Sequence, residues 1–270
     1  MKMREVKKPN SKKLPLLSKA DVHIHTCLSD GKPTVEEVVD YAALKTDLSV
    51  IAISDHDEIK GGYEARKIIK KKGYDLEVII AEEVTAREGH ILGLFLKEKI
   101  KSGMSARQTI EEIHAQGGVA IAAHPFFATH RGNPKYVSTD GIGAITLIKE
   151  AFDGIETINA TPSLSAANMR ADYINRALLH KAETGSSDAH IKQAVGMGHT
   201  LFEGKTARDF RKSFEEKKTQ SCKMRWTSTG LLNYAIFYVP IVFKLIFWSI
   251  SLGFVPKEPN IIKVPKDFKK

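Results

Sequence analysis

The stretch Asp21-Val22-His23-Ile24-His25-Thr26 alternates polar and apolar side chains with a period of two. That is the period of a β-strand, so both imidazoles project from one face, where two neutral nitrogens can grip one cation. Taken alone, an H-x-H pair is as well explained by a hydrogen-bonded structural feature. The chain, however, repeats the arrangement. Ser49 to Ile53 (S-V-I-A-I) runs into Ser54-Asp55-His56-Asp57, and Glu77 to Ala81 (E-V-I-I-A) runs into Glu82-Glu83. His90 opens H-I-L-G-L-F, Val119 to Ala123 runs into His124-Pro125, and a short stretch before Ser187 delivers Asp188-x-His190. Each group stands at one edge of an apolar strand candidate, mostly the carboxyl edge, where a closed parallel barrel gathers its reactive side chains. The recurrence predicts a shared site for more than one metal ion.

Helices between these strands are predicted from their caps. Thr34-x-x-Glu37 and Ser105-x-x-Gln108 have capping-box spacing, and each opens an apolar-periodic run: Val35, Val38, Val39, Ala42 in the first, Ile110 and Ile113 in the second. Gly117-Gly118 is a left-handed stop for the second helix. Further helices are expected over about 61–72, 139–151 and 163–181, which gives strand and helix in alternation from 20 to about 215. This is an α/β barrel pattern.

In chain order, D-x-H-x-H-T-x-x-S-D-G (Asp21 to Gly31), S-D-H-D (Ser54 to Asp57), E-E-V-T (Glu82 to Thr85), G-H-x-L-G-L (Gly89 to Leu94), A-H-P (Ala123 to Pro125) and S-D-A-H (Ser187 to His190) resemble the ordered motifs of the PHP family, named for polymerase and histidinol phosphatase. The likeness covers about residues 20–220. It implies a distorted (β/α)7 TIM-like barrel, the PHP fold, holding three divalent metal ions. Carried over by position, it implies His23, His25, Glu83 and Asp188 around one metal, with Glu83 bridging to a second held by His90 and His124. Asp30, His56 and His190 would hold the third. The S-D-G form at Asp30 is similar to the small-nucleotide and nuclease-like branch, which favours a phosphoesterase over a histidinol phosphatase. Glu83 takes the bridging role because the family's ligand immediately precedes an aliphatic and hydroxyl pair, here Val84-Thr85; Glu82 stays open as the alternative.

Histidine and carboxylate donors suit Zn, Mn or Fe, with no thiolate in the set. A hydroxide bridging two such ions would be the nucleophile toward a phosphate ester. Asp21 shares the face of His23 and His25 and is expected to orient a ligand or cap the strand end. In the loop after His124-Pro125, Arg131 is the candidate phosphate clamp and His130 the candidate proton donor to the leaving oxygen, against the plain alternative of two exposed side chains. Lys192 and Gln193 are weaker candidates. His114 and His180 are expected near helix ends, facing the helix dipole or solvent, and His199 in a late strand. Two cysteines, Cys27 and Cys222, make no disulfide framework.

The 270 residues can bury one substantial core. Residues 1–19 carry seven Lys or Arg against one acid, and 256–270 carry five against two, which together account for the whole formal net charge of +9. The body is neutral, which weakens the case for a long basic groove tracking a nucleic-acid backbone. The expected organisation is a basic flexible arm (1–19), a metal-dependent phosphoesterase domain (20–220) and an apolar helical and basic C-terminal extension (221–270). Leu231 to Val255 is long enough to span a bilayer, yet Pro240 interrupts it and Asn233, Pro240, Lys244 and Ser251 form a narrow polar stripe. Peripheral attachment to an anionic membrane surface, docking on the barrel or a partner subunit, and a true span are all open. Without a signal-peptide pattern at the start, a cytoplasmic location is expected. The reading that unites these features is a metal-dependent hydrolase acting on a phosphate ester of a small metabolite or nucleotide. A 5'-3' exonuclease on short nucleic acids and a membrane-tethered, non-catalytic metal-binding scaffold are the alternatives.

Overall fold

Both expected capping boxes close: the Thr34 hydroxyl accepts from the Glu37 amide while the Glu37 carboxylate takes the Thr34 amide, and Ser105 and Gln108 do the same. They open α1 (Val35–Lys45) and α3 (Ala106–Ala115) in a computed structural model that describes residues 16–127 and 140–251. A third box, Thr206 with Asp209, opens α6 (Ala207–Glu215); its Asp lies outside the Glu/Gln template, and the sequence reading passed over it. The other helices are α2 (Lys60–Lys72), α4 (Gly143–Lys149), α5 (Ser165–Ile174), which runs on as a π turn to Leu179, and α7 (Ser228–Ser251). Gly117, at φ +75°, takes the left-handed conformation expected of a helix stop.

The strands are β1 (Leu17–Asp21), β2 (Leu48–Ile53), β3 (Glu77–Thr85), β4 (His90–Leu94), β5 (Val119–Ala122), β6 (Gly154–Asn159), β7 (Ala182–Ser186), β8 (Gly198–Glu203) and β9 (Gln220–Lys223). They form one sheet in the order β7-β6-β5-β4-β3-β2-β1-β8-β9. The sheet curls until its ends meet. Beyond β1, the His25 amide donates to the Ala189 carbonyl at 2.9 Å, a parallel bridge between Ile24 and Ala189 that joins the outgoing chains of β1 and β7. The result is the nearly closed seven-strand barrel that the resemblance implies, extended by β8, antiparallel to β1, and by β9.

The barrel departs from a wholly parallel one at β4, which runs antiparallel to both β3 and β5. Only Ala86 to Gly89 separate β3 from β4, too few for a crossover and enough for a hairpin. Strict alternation of strand and helix therefore breaks there. The reversal puts His90, first residue of β4, at the same edge as residues that follow the carboxyl ends of the parallel strands.

Strand side chains divide by parity. Val50, Ala52, Ile79, Ala81, Leu92, Leu94, Val119 and Ile121 fill the interior with Phe202 of β8 and Phe210 and Phe214 of α6. Ile51 and Ile53 pack outward against Val35, Val38, Val39 and Ala42 of α1. The aromatics close the far end, and the apolar filling stops where the polar edge begins.

Helix α7, in its described part, lies against the barrel. Trp226 donates its indole N–H to the Ala160 carbonyl at 2.9 Å, and Trp226, Tyr234 and Phe237 pack against the α1 side of the core. Of the arrangements open from sequence, this segment docks on its own barrel, with Leu232, Ile236 and Val239 exposed on the opposite face. Among the described residues no helix is long and apolar enough to cross a membrane. The basic segments 1–15 and 252–270 lie outside the described residues.

Candidate metal centre

Glu83 is the hub of the polar edge. By parity it continues the interior face of Ile79 and Ala81, and it is 1% exposed. Its Oε2 lies 3.2 Å from His23 Nε2 and 3.2 Å from His25 Nε2. Its Oε1 lies 3.1 Å from His90 Nδ1 and 3.0 Å from His124 Nε2. The carboxylate thus presents a different oxygen to each of two histidine pairs. Asp188 Oδ1 joins the first pair, 3.2 Å from His25 Nε2 and 3.5 Å from His23 Nε2. At the other end Asp30 meets His190 Nε2 at 3.2 Å and His56 Nε2 at 3.7 Å.

All nine residues singled out as metal ligands converge here. Their donor atoms form four overlapping groups, each within 4.8 Å: His25, Asp30, His56 and His190; His23, His124 and Asp188; His23, His25 and Glu83; His56, Glu83 and His90. The overlap differs in detail from the sets implied by resemblance, since His25 also reaches the Asp30 group and His56 Nδ1 also approaches Glu83 Oε2, at 3.3 Å.

Two observations test whether metal ions fit. Donors about 2.1 Å from one ion in tetrahedral array stand about 3.4 Å apart, and the spacings around Glu83 and Asp188 are of that size. His23 Nε2, both ring nitrogens of His25, His90 Nδ1 and Glu83 Oε2 are buried without a hydrogen-bond partner. Burying such lone pairs unpaired is costly, and a coordinated cation removes the cost. The residues fit divalent ions.

The electrostatics point the same way. Burial would raise the Glu83 carboxyl, but the field of His56, His23 and His90 holds it well below the usual range, and Asp188 is likewise held down against burial by His23 and His25. Conversely, burial would lower His25, yet the Asp188 and Glu83 carboxylates, each 3.2 Å from its Nε2, push it up to about 10. His56 is brought down to about 4 by burial, helped by the neighbouring His25 and His90 rings. A set of carboxylates this demanding of positive charge, with imidazoles crowded against one another, suits replacement of protons by metal ions. His124 and Asp188 also adopt positive φ, +25° and +51°, backbone strain of the kind that collects at functional sites.

The structure separates the two adjacent glutamates. Glu82 points to the outer side, where its Oε2 accepts the Ile100 amide at 2.9 Å and its Oε1 has no partner. Burial, only partly offset by that amide, pushes its carboxyl up to about 7. A raised carboxyl stabilises the fold fully below its unfolded value of about 4.5, and that contribution is lost as pH rises through about 7. Glu82→Gln keeps an acceptor for Ile100 and removes the buried charge. It is expected to raise stability by about 1–2 kcal/mol at pH 8 and by much less at pH 5, with metal content unchanged. Urea unfolding at the two pH values checks this; an equal shift at both would show that the charge is not responsible.

Asp21 acts as a support: its Oδ1 accepts the Ser187 amide at 3.0 Å and its Oδ2 the Gly196 amide at 2.8 Å, tying the Asp188 turn to β1. The sequence reading missed Glu156 and Asn159. Glu156 Oε1 lies 3.0 Å from His23 Nδ1 while its Oε2 takes the His124 amide at 2.8 Å, and Asn159 Nδ2 bonds both Glu156 and Asp188 at 3.1 Å. A glutamate inside the apolar strand G-I-E-T-I-N is the signal that was available, since a carboxylate there needs partners. Asp55 accepts from the Thr26 amide and hydroxyl and from the Ser29 hydroxyl, bracing the loop that carries Asp30.

Arg131 and His130 fall outside the described residues. Lys192 Nζ pairs with Glu37 at 3.0 Å, and Gln193 sits beside it in a cleft next to His190. His114 is exposed in the last turn of α3, as expected, and pairs there with Asp153 at 2.8 Å; His180 is a left-handed helix stop at φ +48°, and buried His199 stands in β8 against the Gly196 carbonyl. Cys27 and Cys222 are both free.

Comparison with known proteins gives one matching family model, described as PHP-associated, over residues 166–219. An uncharacterised protein of Methanocaldococcus jannaschii is 46% identical over 118 residues, 40% of this chain and 68% of that one. A phosphoribosyl 1,2-cyclic phosphate 1,2-diphosphodiesterase of Eggerthella lenta is 32% identical over 102 residues, 35% of this chain but only 38% of the relative. Among solved structures, a two-domain protein of Bacteroides vulgatus containing a predicted PHP-like metal-dependent phosphoesterase superposes with a TM-score of 0.59 at 18% identity, covering 78% of this chain and 66% of that one.

Proposed function

The chain belongs to the PHP family of metal-dependent phosphoesterases, and from that premise we propose that it hydrolyses a phosphate ester of a small metabolite or nucleotide at a three-metal centre. The observation that carries the reading is the nest of six imidazoles and three carboxylates around Glu83, with buried lone pairs that find no hydrogen-bond partner. His23, His25, Glu83 and Asp188 would hold one ion, Glu83, His90 and His124 a second, and Asp30, His56 and His190 the third. Bound there, divalent ions supply Lewis acidity toward the phosphoryl oxygens and make a water molecule acidic enough to attack at neutral pH.

The protein's own groups do the positioning. Glu156 holds the His23 ring by Nδ1, leaving Nε2 for the centre, and Asn159 fixes Asp188. Asp21 sets the turn that presents Asp188. With three divalent ions bound, the three ligand carboxylates Asp30, Glu83 and Asp188 would leave positive charge in excess at this edge, which would attract an anionic ester. The complete ligand set favours turnover over a scaffold role. The activity named for the Eggerthella lenta relative makes small phosphodiesters, cyclic ones included, the first substrates to try.

Elemental analysis after gentle purification is expected to give more than one metal per chain, approaching three on reconstitution with Mn or Zn. A phosphate-release screen across nucleotides, sugar phosphates, cyclic phosphates and short oligonucleotides with added Mn is expected to show turnover on small esters. A stoichiometry that never exceeds one, or hydrolysis confined to oligonucleotides, would overturn the reading.

A further inference from the structure

The docked helix α7 does not sit at random on the barrel. It crosses the polar edge beside the Asp30 end of the metal centre. The His190 ring lies 5.9 Å, centroid to centroid, from Tyr238 and 6.3 Å from Phe237. Tyr234 stacks on Tyr238 at 4.1 Å, and Trp226 meets Tyr234 edge-on at 5.5 Å. These four rings make one continuous aromatic face, anchored through the Trp226 indole to the Ala160 carbonyl.

The chemistry of that face is specific. A phenol is a neutral hydrogen-bond donor at neutral pH, and the Tyr238 ring beside His190 places one at an edge built to carry cations. A donor without charge at that position matches a phosphoryl oxygen. Between α7 and the start of α1 the face leaves a cleft of about 550 Å³, lined by Lys32, Pro33, Glu37, Lys192, Asn233 and Phe237. Clefts of this size accept molecules of about a nucleotide's bulk.

We propose that the aromatic face of α7 is the roof of the substrate site, with the Tyr238 hydroxyl donating to the phosphoryl group and the Tyr234–Tyr238 stack admitting only esters of small alcohols through the Lys32–Lys192 cleft. This inference rests on the phosphoesterase reading above and deepens it. A roof of this kind excludes a polynucleotide threaded across the centre, because the helix occupies the path.

Two variants of the full chain test it. Tyr238→Phe keeps the ring stack and removes the donor. It is expected to weaken binding of inorganic phosphate to the Mn-loaded protein about ten-fold by calorimetry and to raise KM for a small ester similarly, with kcat within about two-fold. The double variant Tyr234→Ala/Tyr238→Ala opens the roof. It is expected to lower the preference for a mononucleotide-sized ester over an oligonucleotide at least ten-fold, with metal content unchanged. If the protein hydrolyses no ester yet Tyr238→Phe binds phosphate ten-fold more weakly, the roof stands and the hydrolase reading falls. If small esters are hydrolysed while Tyr238→Phe binds phosphate as tightly as the unaltered chain, or the double variant keeps its size preference, the roof is wrong and the hydrolase reading stands.

Discussion

Glu83→Gln is expected to leave a folded protein whose phosphoesterase turnover falls at least a thousand-fold and whose metal content drops by at least one ion per chain. The reason lies in how its two oxygens are used, one toward His23 and His25, the other toward His90 and His124. A glutamine offers one neutral oxygen in place of two anionic ones, and turns an amide N–H2 toward one histidine pair. The fold should tolerate this, because the imidazoles that owe their raised protonation to Glu83, among them His23, His25 and His124, can release their protons and stay neutral. Single-sided variants should be milder in metal loss: His25→Ala and Asp188→Asn each act on the group that faces one Glu83 oxygen only. Elemental analysis beside kcat/KM, with circular dichroism as the control for folding, checks the ranking. Turnover within a few fold of the unaltered protein and full metal content in Glu83→Gln would mean that the centre does not depend on a carboxylate bridge.

The centre was legible because its residues violate their surroundings. Histidines and acids at the ends of apolar runs stand out, and their order along the chain matches a family pattern. What stayed hidden follows from physics that acts between elements. The direction of β4 depended on loop length: Ala86 to Gly89 can only make a hairpin, a signal that was present but weaker than the expectation of parallel strands. The choice between Glu82 and Glu83 needed the parity of Ile79 and Ala81, which becomes decisive only when one face is known to be interior. Glu156 gave a weaker sign because its partners, His23 and the His124 amide, lie far away in sequence. The tail was ambiguous for a deeper reason. Transfer of Leu231 to Pro240 out of water is favourable whether the new surroundings are lipid or protein, so hydrophobicity alone cannot name the acceptor. The aromatic residues of α7 and of the segment before it carried the missing information, since a face made of Trp226, Tyr234, Phe237 and Tyr238 has hydroxyls and an indole N–H that need fixed partners.

Gly198→Ala is expected to be the most damaging single methyl addition in the barrel, at about 3 kcal/mol or more, whereas Gly117→Ala should cost about 1 kcal/mol. Gly117 has positive φ but open space around a new Cβ, so only backbone strain is at stake. At Gly198 the added carbon would overlap the carbonyl carbon and oxygen of Ser186 and stand 3.1 Å from Ala160 Cβ. Backbone cannot swing aside as a flexible side chain can. That carbonyl also accepts the Ala160 amide at 2.9 Å, and Ser187 and Asp188 follow it directly, so moving it shifts a ligand of the metal centre as well as the seam between β7 and β8. Urea midpoints of the two variants, measured with and without added Mn, separate the contributions. The Gly198→Ala protein should gain less stability from the metal than the Gly117→Ala protein, because displacement of Asp188 weakens the bound state that metal would favour. Equal and small losses in both would mean that β8 can withdraw from β7 without disturbing the closure, and that the barrel is held at the Ile24–Ala189 bridge alone.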